Sequence, residues 1–89
     1  MTIWKTSVDV YSGRKHINVP KGARFLSAQI QNNLVTVWYD CDPSQSLKLR
    51  TIYLILTGAE DVPPYASYLG TCMLNGGAFV VHVFVDNDG

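Results

Sequence analysis

The stretch "QIQNNLVTVWYD", residues 29–40, constrains the fold more than any other. Two asparagines separate two runs in which apolar and polar residues alternate, and alternation with period two marks a half-buried strand. Asparagine tolerates the positive φ that a type I′ hairpin turn requires. With Asn32-Asn33 as that turn, the pairs run Gln31–Leu34, Ile30–Val35, Gln29–Thr36, Ala28–Val37, Ser27–Trp38 and Leu26–Tyr39. Leu26, Ala28, Ile30, Val35, Val37 and Tyr39 then share one face. A slip of one residue would move each strand's apolar set to the other face, so the register is well specified. Trp38 is the exception, because it stands on the polar face, opposite Ser27 and beside Gln29 and Thr36. Either a second layer or a second copy covers it, or it anchors a partner.

The rest of the chain reads in the same way. No helix-period segment of useful length occurs, and strand signals recur between Gly, Pro, Asn and Asp. Thr2 to Tyr11 reads as a strand broken or bulged near Thr6-Ser7. A Ser12-Gly13 turn would return it into "KHINV" (15–19), with Val10 opposite Lys15, Asp9 opposite His16 and Val8 opposite Ile17. "PKGA" (20–23) is a turn. In "DCDPSQS" (40–46), Asp42-Pro43 followed by Gln45 has the form of a capping box, which suits one helical turn or a plain loop equally. "LKLRTIYLILTG" (47–58) alternates at first and then becomes apolar on both faces, as in a strand that enters from an edge and ends in the interior. "AEDVPPY" (59–65) is a loop. "YLGTCML" (68–74) and "AFVVHVFV" (78–85) form a last hairpin, turning at Asn75-Gly76 or Gly76-Gly77. Phe79, Val81, Val83 and Val85 share one face of its second strand, and Val80, His82 and Phe84 the other. "DNDG" (86–89) is a polar stop. The expectation is one all-β domain over residues 1–89: six or seven strands in antiparallel hairpins, forming a small sandwich or partly open barrel with at most one or two short helical turns. Apolar residues on both faces at 51–57 and 78–85 further predict a homodimer or larger oligomer.

Composition narrows the function classes. The chain has 89 residues and zero formal net charge, which argues against a general DNA binder and against an acidic DNA mimic. The charge is nonetheless uneven. All seven Lys and Arg lie at or before Arg50, against three acidic residues there, and the remaining 39 residues balance at −4. No signal peptide opens the chain and no apolar run is long enough for a spanning helix, so a cytoplasmic protein with no membrane partner is expected. Cys41 and Cys72 form no CxxC and read as small buried hydrophobes.

No phosphate-binding loop, GxSxG or HExxH occurs. Strand parity sets Cys72 opposite Val81 or Phe79, away from His82, which separates the nearest nucleophile from its nearest base. Asp40-Cys41-Asp42 lacks the spacing of zinc ligands, and His82 reads as a neutral imidazole bonded to backbone or to Thr71. No enzymatic activity, metal or cofactor is expected. The best binding cluster is Arg14, Lys15, His16, Lys21 and Arg24, with Trp38 and Tyr39 as aromatic surface. Cations beside aromatic planes bind a base and a phosphate, or form a protein hot spot.

The pieces "TIWK", "VPKGARFLSAQIQNN", "LVTVWYDCDP", "RTIYLILTG" and "YLGTCML..GGAFVVHVF" occur in that order across nearly the whole chain. This ordered set resembles a group of short proteins encoded by tailed bacteriophages and prophages. The resemblance brings no catalytic residues with it. It implies a protein that acts stoichiometrically, first as a counter-defence inhibitor in direct contact with a host defence complex, in the manner of anti-CRISPR proteins. The alternatives it implies are an oligomeric sponge for a nucleotide immune signal and a minor phage structural or regulatory protein.

Overall fold

A computed structural model describes residues 1–87; the last two residues of the polar stop, 88 and 89, lie outside the described part. Seven strands follow one another: β1 (Thr2–Val8), β2 (Arg14–Pro20), β3 (Arg24–Gln31), β4 (Leu34–Cys41), β5 (Leu47–Leu56), β6 (Ala66–Leu74) and β7 (Phe79–Asp86), with a single 3-10 turn at Asn75–Gly77. They form two antiparallel sheets, β1-β4-β3 and β2-β5-β7-β6, packed as an open sandwich. The all-β antiparallel class is the one the alternation predicts.

The β3–β4 hairpin keeps the expected pairs from Gln31–Leu34 to Ser27–Trp38, with φ of 51° at Asn32 and 63° at Asn33. Ala28, Val35, Val37 and Tyr39 are buried. The expectation fails at one residue. Leu26 is a bulge, so Tyr39 pairs with Phe25, and Leu26 is exposed. The extra residue sends the larger Phe25 ring inward, where it meets Tyr39 at 5.6 Å between centroids.

The expected β1–β2 hairpin does not form. β1 pairs with β4, β2 pairs with β5, and residues 9–13 carry the chain from one sheet to the other. Asp9 holds this crossing: its carboxylate accepts from the Tyr11 N–H at 3.0 Å, and its carbonyl accepts from Ser12 N–H and hydroxyl. His16 therefore meets Thr51 instead of Asp9, Nδ1 to Oγ1 at 2.9 Å. A Ser-Gly turn serves a hairpin or a sheet crossing equally well. Burial decides, because pairing with β4 sets Val8 beside Val35 on the inner face of the small sheet, where both are buried.

Two turns also resolve. Asp42 accepts from the Ser44 N–H (3.0 Å) and hydroxyl (2.7 Å), while Gln45 N–H donates to the Asp42 carbonyl, which makes one turn and no helix. The two bonds from Ser44 hold the Asp42 carboxyl below the usual aspartate range. The last hairpin uses neither expected two-residue turn: Leu74 pairs with Phe79, and Asn75, Gly76, Gly77 and Ala78 all lie in the connection.

In the core, Ile52, Leu54, Val81, Val83 and Val85 of the larger sheet face Val35, Val37 and Ala28 of the smaller one. Arg50 lies among them with 5% exposure. Its Nε donates to Asp86 Oδ1 at 2.7 Å, Nη2 to the Asp86 carbonyl at 2.8 Å, and Nη1 to the Ala23 carbonyl at 3.5 Å; its guanidinium lies 5.0 Å from the Phe25 ring centre. Arg50→Ala leaves Asp86 without this ion pair and opens the seam. In urea unfolding it is expected to cost about 3 kcal/mol, the low end for a broken buried pair because Asp86 is partly exposed. Burial pushes the Cys41 and Cys72 thiols up, with Asp40 and Asp42 adding to the effect at Cys41. A disulfide-exchange reagent at mildly alkaline pH should titrate neither thiol in the folded protein and both after unfolding.

Candidate functional site

The basic cluster expected from the sequence does not converge. Arg14 begins β2 and Lys21 follows its far end, about 20 Å away along an extended strand. Arg24 lies on the other sheet and pairs with Asp40 at 2.7 Å. Lys15 spans the open side of the sandwich, donating to the Ser7 carbonyl at 2.8 Å and Thr6 Oγ1 at 3.2 Å. His16 bonds Thr51. Tyr39 is a core residue between Trp4 and Phe25. Trp38 is half-buried on the outer face of the small sheet, between Lys5 and Ser27. The residues come from turns and strand ends that are near in sequence, but β2 holds Arg14 and Lys21 at its opposite ends and Arg24 belongs to the other sheet.

A different set meets on the outer face of the four-stranded sheet. Inward residues of β5 and β7 pair Ile52 with Val85 and Leu54 with Val83, so Tyr53–Phe84 and Ile55–His82 point outward. Arg14 of β2 flanks Tyr53, and Tyr68 of β6 flanks Phe84 edge-on at 5.6 Å. The row Arg14–Tyr53–Phe84–Tyr68 thus crosses all four strands. Beside it run Ile55–His82–Thr71 and then Val80–Met73. Tyr68 and Met73 are 60% and 64% exposed, which leaves much of this face uncovered.

His82 is held at both ring nitrogens. Nε2 lies 2.8 Å from Thr57 Oγ1, Nδ1 lies 3.0 Å from Thr71 Oγ1, and Thr71 Oγ1 lies 2.6 Å from the Tyr68 hydroxyl. The β6 bulge at Leu69 makes this possible. Without it, Tyr68 and Thr71 would fall on opposite faces; with it, Tyr68 pairs with Phe84, Gly70 with Val83 and Thr71 with His82. Gly70 then turns inward against β3, where a β-carbon would stand 3.5 Å from the Ala28 carbonyl oxygen. Of the two partners the sequence offered His82, backbone and Thr71, the bond is to Thr71. Thr57 and Tyr68 were missed, because alternation alone puts Tyr68 out of reach.

The chain Thr57–His82–Thr71–Tyr68 fixes an imidazole and a phenol in place. Each hydroxyl both donates and accepts, so it can match either imidazole tautomer. The Thr57–His82 spacing suits a hydroxyl and its base, but the third group is an uncharged hydroxyl rather than a carboxylate, so this network offers an imidazolium no counter-charge. Next to this face is a groove of about 520 Å³ lined by Arg14, Tyr53, Ile55, Ala59, Asp61 and Pro63. It opens because β2 begins at Arg14 while β5 continues to Leu56; the Leu54 N–H reaches back to the Gly13 carbonyl at 2.8 Å. Among the described residues, no three His, Cys, Asp or Glu are grouped to hold a metal ion, and no helix is long and apolar enough to cross a membrane.

Residues 1–89 match the family described as domain of unknown function DUF7352. The chain belongs to that family. No curated protein and no solved structure matches it. In this DUF7352 domain, segments far apart in sequence supply the network: "RTIYLILTG" brings Thr57, "YLGTCML" brings Tyr68 and Thr71, and "AFVVHVF" brings His82. Thr71→Val removes the hydroxyl shared by Tyr68 and His82. Equilibrium unfolding should show a loss of about 1 kcal/mol, because the freed groups remain partly open to water.

Proposed function

We propose that the protein is a non-catalytic binding protein that docks a protein partner on the outer face of its four-stranded sheet. The supporting observation is the aromatic row Tyr53–Phe84–Tyr68 beside the held His82. Protein hot spots combine large, rigid, amphipathic side chains with few charges at their centre. This face has that composition, with Arg14 at its margin. A surface for nucleic acid would need phosphate-binding cations along the rows, and Arg14 is the single Lys or Arg on the two rows through Phe84 and His82. The resemblance to phage proteins supports a host defence complex as partner, with inhibition in equimolar complex, in the host cytoplasm.

The test is affinity capture from host lysate, with mass spectrometry of retained proteins and small molecules, followed by titration against the captured complex. Tyr68→Ser should weaken partner binding by about 30-fold, or roughly 2 kcal/mol, with the fold intact. Trp38→Ala, on the opposite face, should leave affinity unchanged. Loss of binding only in Trp38→Ala would move the contact to the small sheet. The second reading, a nucleotide sponge, draws on the groove beside Arg14 and Tyr53. It would show as a nucleotide recovered with the protein and a raised melting temperature on its addition.

A further inference from the structure

Sheet edges are where a β protein risks pairing with other chains, and the four edges here are not equally protected. β2 carries Arg14, Lys15 and His16 and ends in Pro20. β3 and β6 run beside each other across the seam, with bulges at Leu26 and Leu69 and with Gly70 against Ala28. Among the described residues, β1 is the edge strand with neither bulge nor proline, and Thr2, Ile3, Trp4 and Lys5 are exposed in succession.

The hairpin fixes which backbone groups of β1 are free. In a two-residue turn the closing pair, Gln31–Leu34, is hydrogen-bonded, so alternate residues of β4 (34, 36, 38) direct their N–H and C=O toward β3. Val35, Val37, Tyr39 and Cys41 direct theirs toward β1, where they meet Val8, Thr6, Trp4 and Thr2. The N–H and C=O groups of Ile3, Lys5 and Ser7 therefore point away from the sheet. The Lys15 ammonium confirms this direction at Ser7, whose carbonyl it caps at 2.8 Å. The open stretch is Ile3 to Lys5.

We propose that a second copy of this chain adds its β1 antiparallel to this edge, joining two three-stranded sheets into one of six. Outward groups lie on odd-numbered residues, so hydrogen-bonded pairs must be odd with odd. A two-fold axis at Lys5 would set Lys5 against its own copy and require the Ser7 carbonyl that Lys15 occupies. An axis at Ile3 would extend the pairing to Met1, ahead of the strand. An axis at Trp4 pairs Ile3 with Lys5 of the second copy twice, forming four backbone hydrogen bonds and setting the two Trp4 rings side by side without opposed like charges. The 37% exposure of Trp4, an inward-facing residue, shows that the larger sheet does not cover this end of β1, which leaves room for the added strand.

Sedimentation equilibrium at about 100 µM, a concentration suited to a small interface, should give twice the 9.9 kDa chain mass. Lys5→Pro removes an outward N–H without touching the β4 ladder and should return the monomer. Trp4→Cys should form an intermolecular disulfide on mild oxidation, since non-hydrogen-bonded pairs lie about 4.5 Å apart at Cα. Ile3→Cys and Lys5→Cys should cross-link when mixed, and neither should do so alone. The buried Cys41 and Cys72 are not expected to compete. A monomeric native chain, a dimer that survives Lys5→Pro, or cross-linking of Ile3→Cys with itself would each overturn the proposal; if Trp4→Cys does not fold, the mixed pair decides.

Discussion

The sandwich depends on Arg50. Two sheets of three and four short strands bury only a modest core. One side of that core stays open between β1 and β2, so the opposite seam must close. Arg50 closes it from within: its stem lies in the core of the large sheet, and its guanidinium binds both the side chain and the backbone of Asp86 while facing the Phe25 ring. A buried charge with partners on one side only would be costly. Here the donors reach β7 and the carbonyl of Ala23, at the entrance to β3. The Leu26 bulge belongs to the same arrangement, because it turns Phe25 inward to meet that cation.

Closing one seam sets what the other surfaces can do. Where β3 and β6 approach, Gly70 is forced against Ala28, and the neighbouring bulge at Leu69 re-aims Tyr68 onto the outer face. The His82 network is thus a consequence of how the two sheets meet. Leaving the other side open exposes Trp4 and the outward backbone groups of Ile3 and Lys5, with Lys15 as the tie across the gap. The two surfaces proposed for contact, the aromatic face and the β1 edge, lie on different sheets, so partner binding and self-association need not compete.

Much of this was legible in the chain. Alternation around Asn32-Asn33 determined the central hairpin almost residue for residue, because a slip exposes its apolar side chains. Alternation in residues 79–85 likewise set Phe79, Val81, Val83 and Val85 on one face and Val80, His82 and Phe84 on the other; packing then put Val81, Val83 and Val85 in the core and left the second face outermost. Thr71 was one of the two partners, with backbone, that the sequence offered His82. These features are local, set by period and by turn chemistry.

What the sequence could not decide was which strands are neighbours. Ser12-Gly13 is compatible with a hairpin or a sheet crossing, and only the burial of Val8 against Val35 selects the crossing. The basic cluster around Arg14 and Arg24 does not form, because β2 separates Arg14 from Lys21 along its length and Arg24 lies on the other sheet. Bulges are equally invisible to a period-two pattern, since one extra residue changes which side chains face outward while composition stays the same. Thr57, Tyr68, Thr71 and His82 come together through non-local pairing and one bulge. Strands and their greasy faces are thus written in local alternation, whereas sheet order and the exposed site arise only on packing, because they depend on long-range burial.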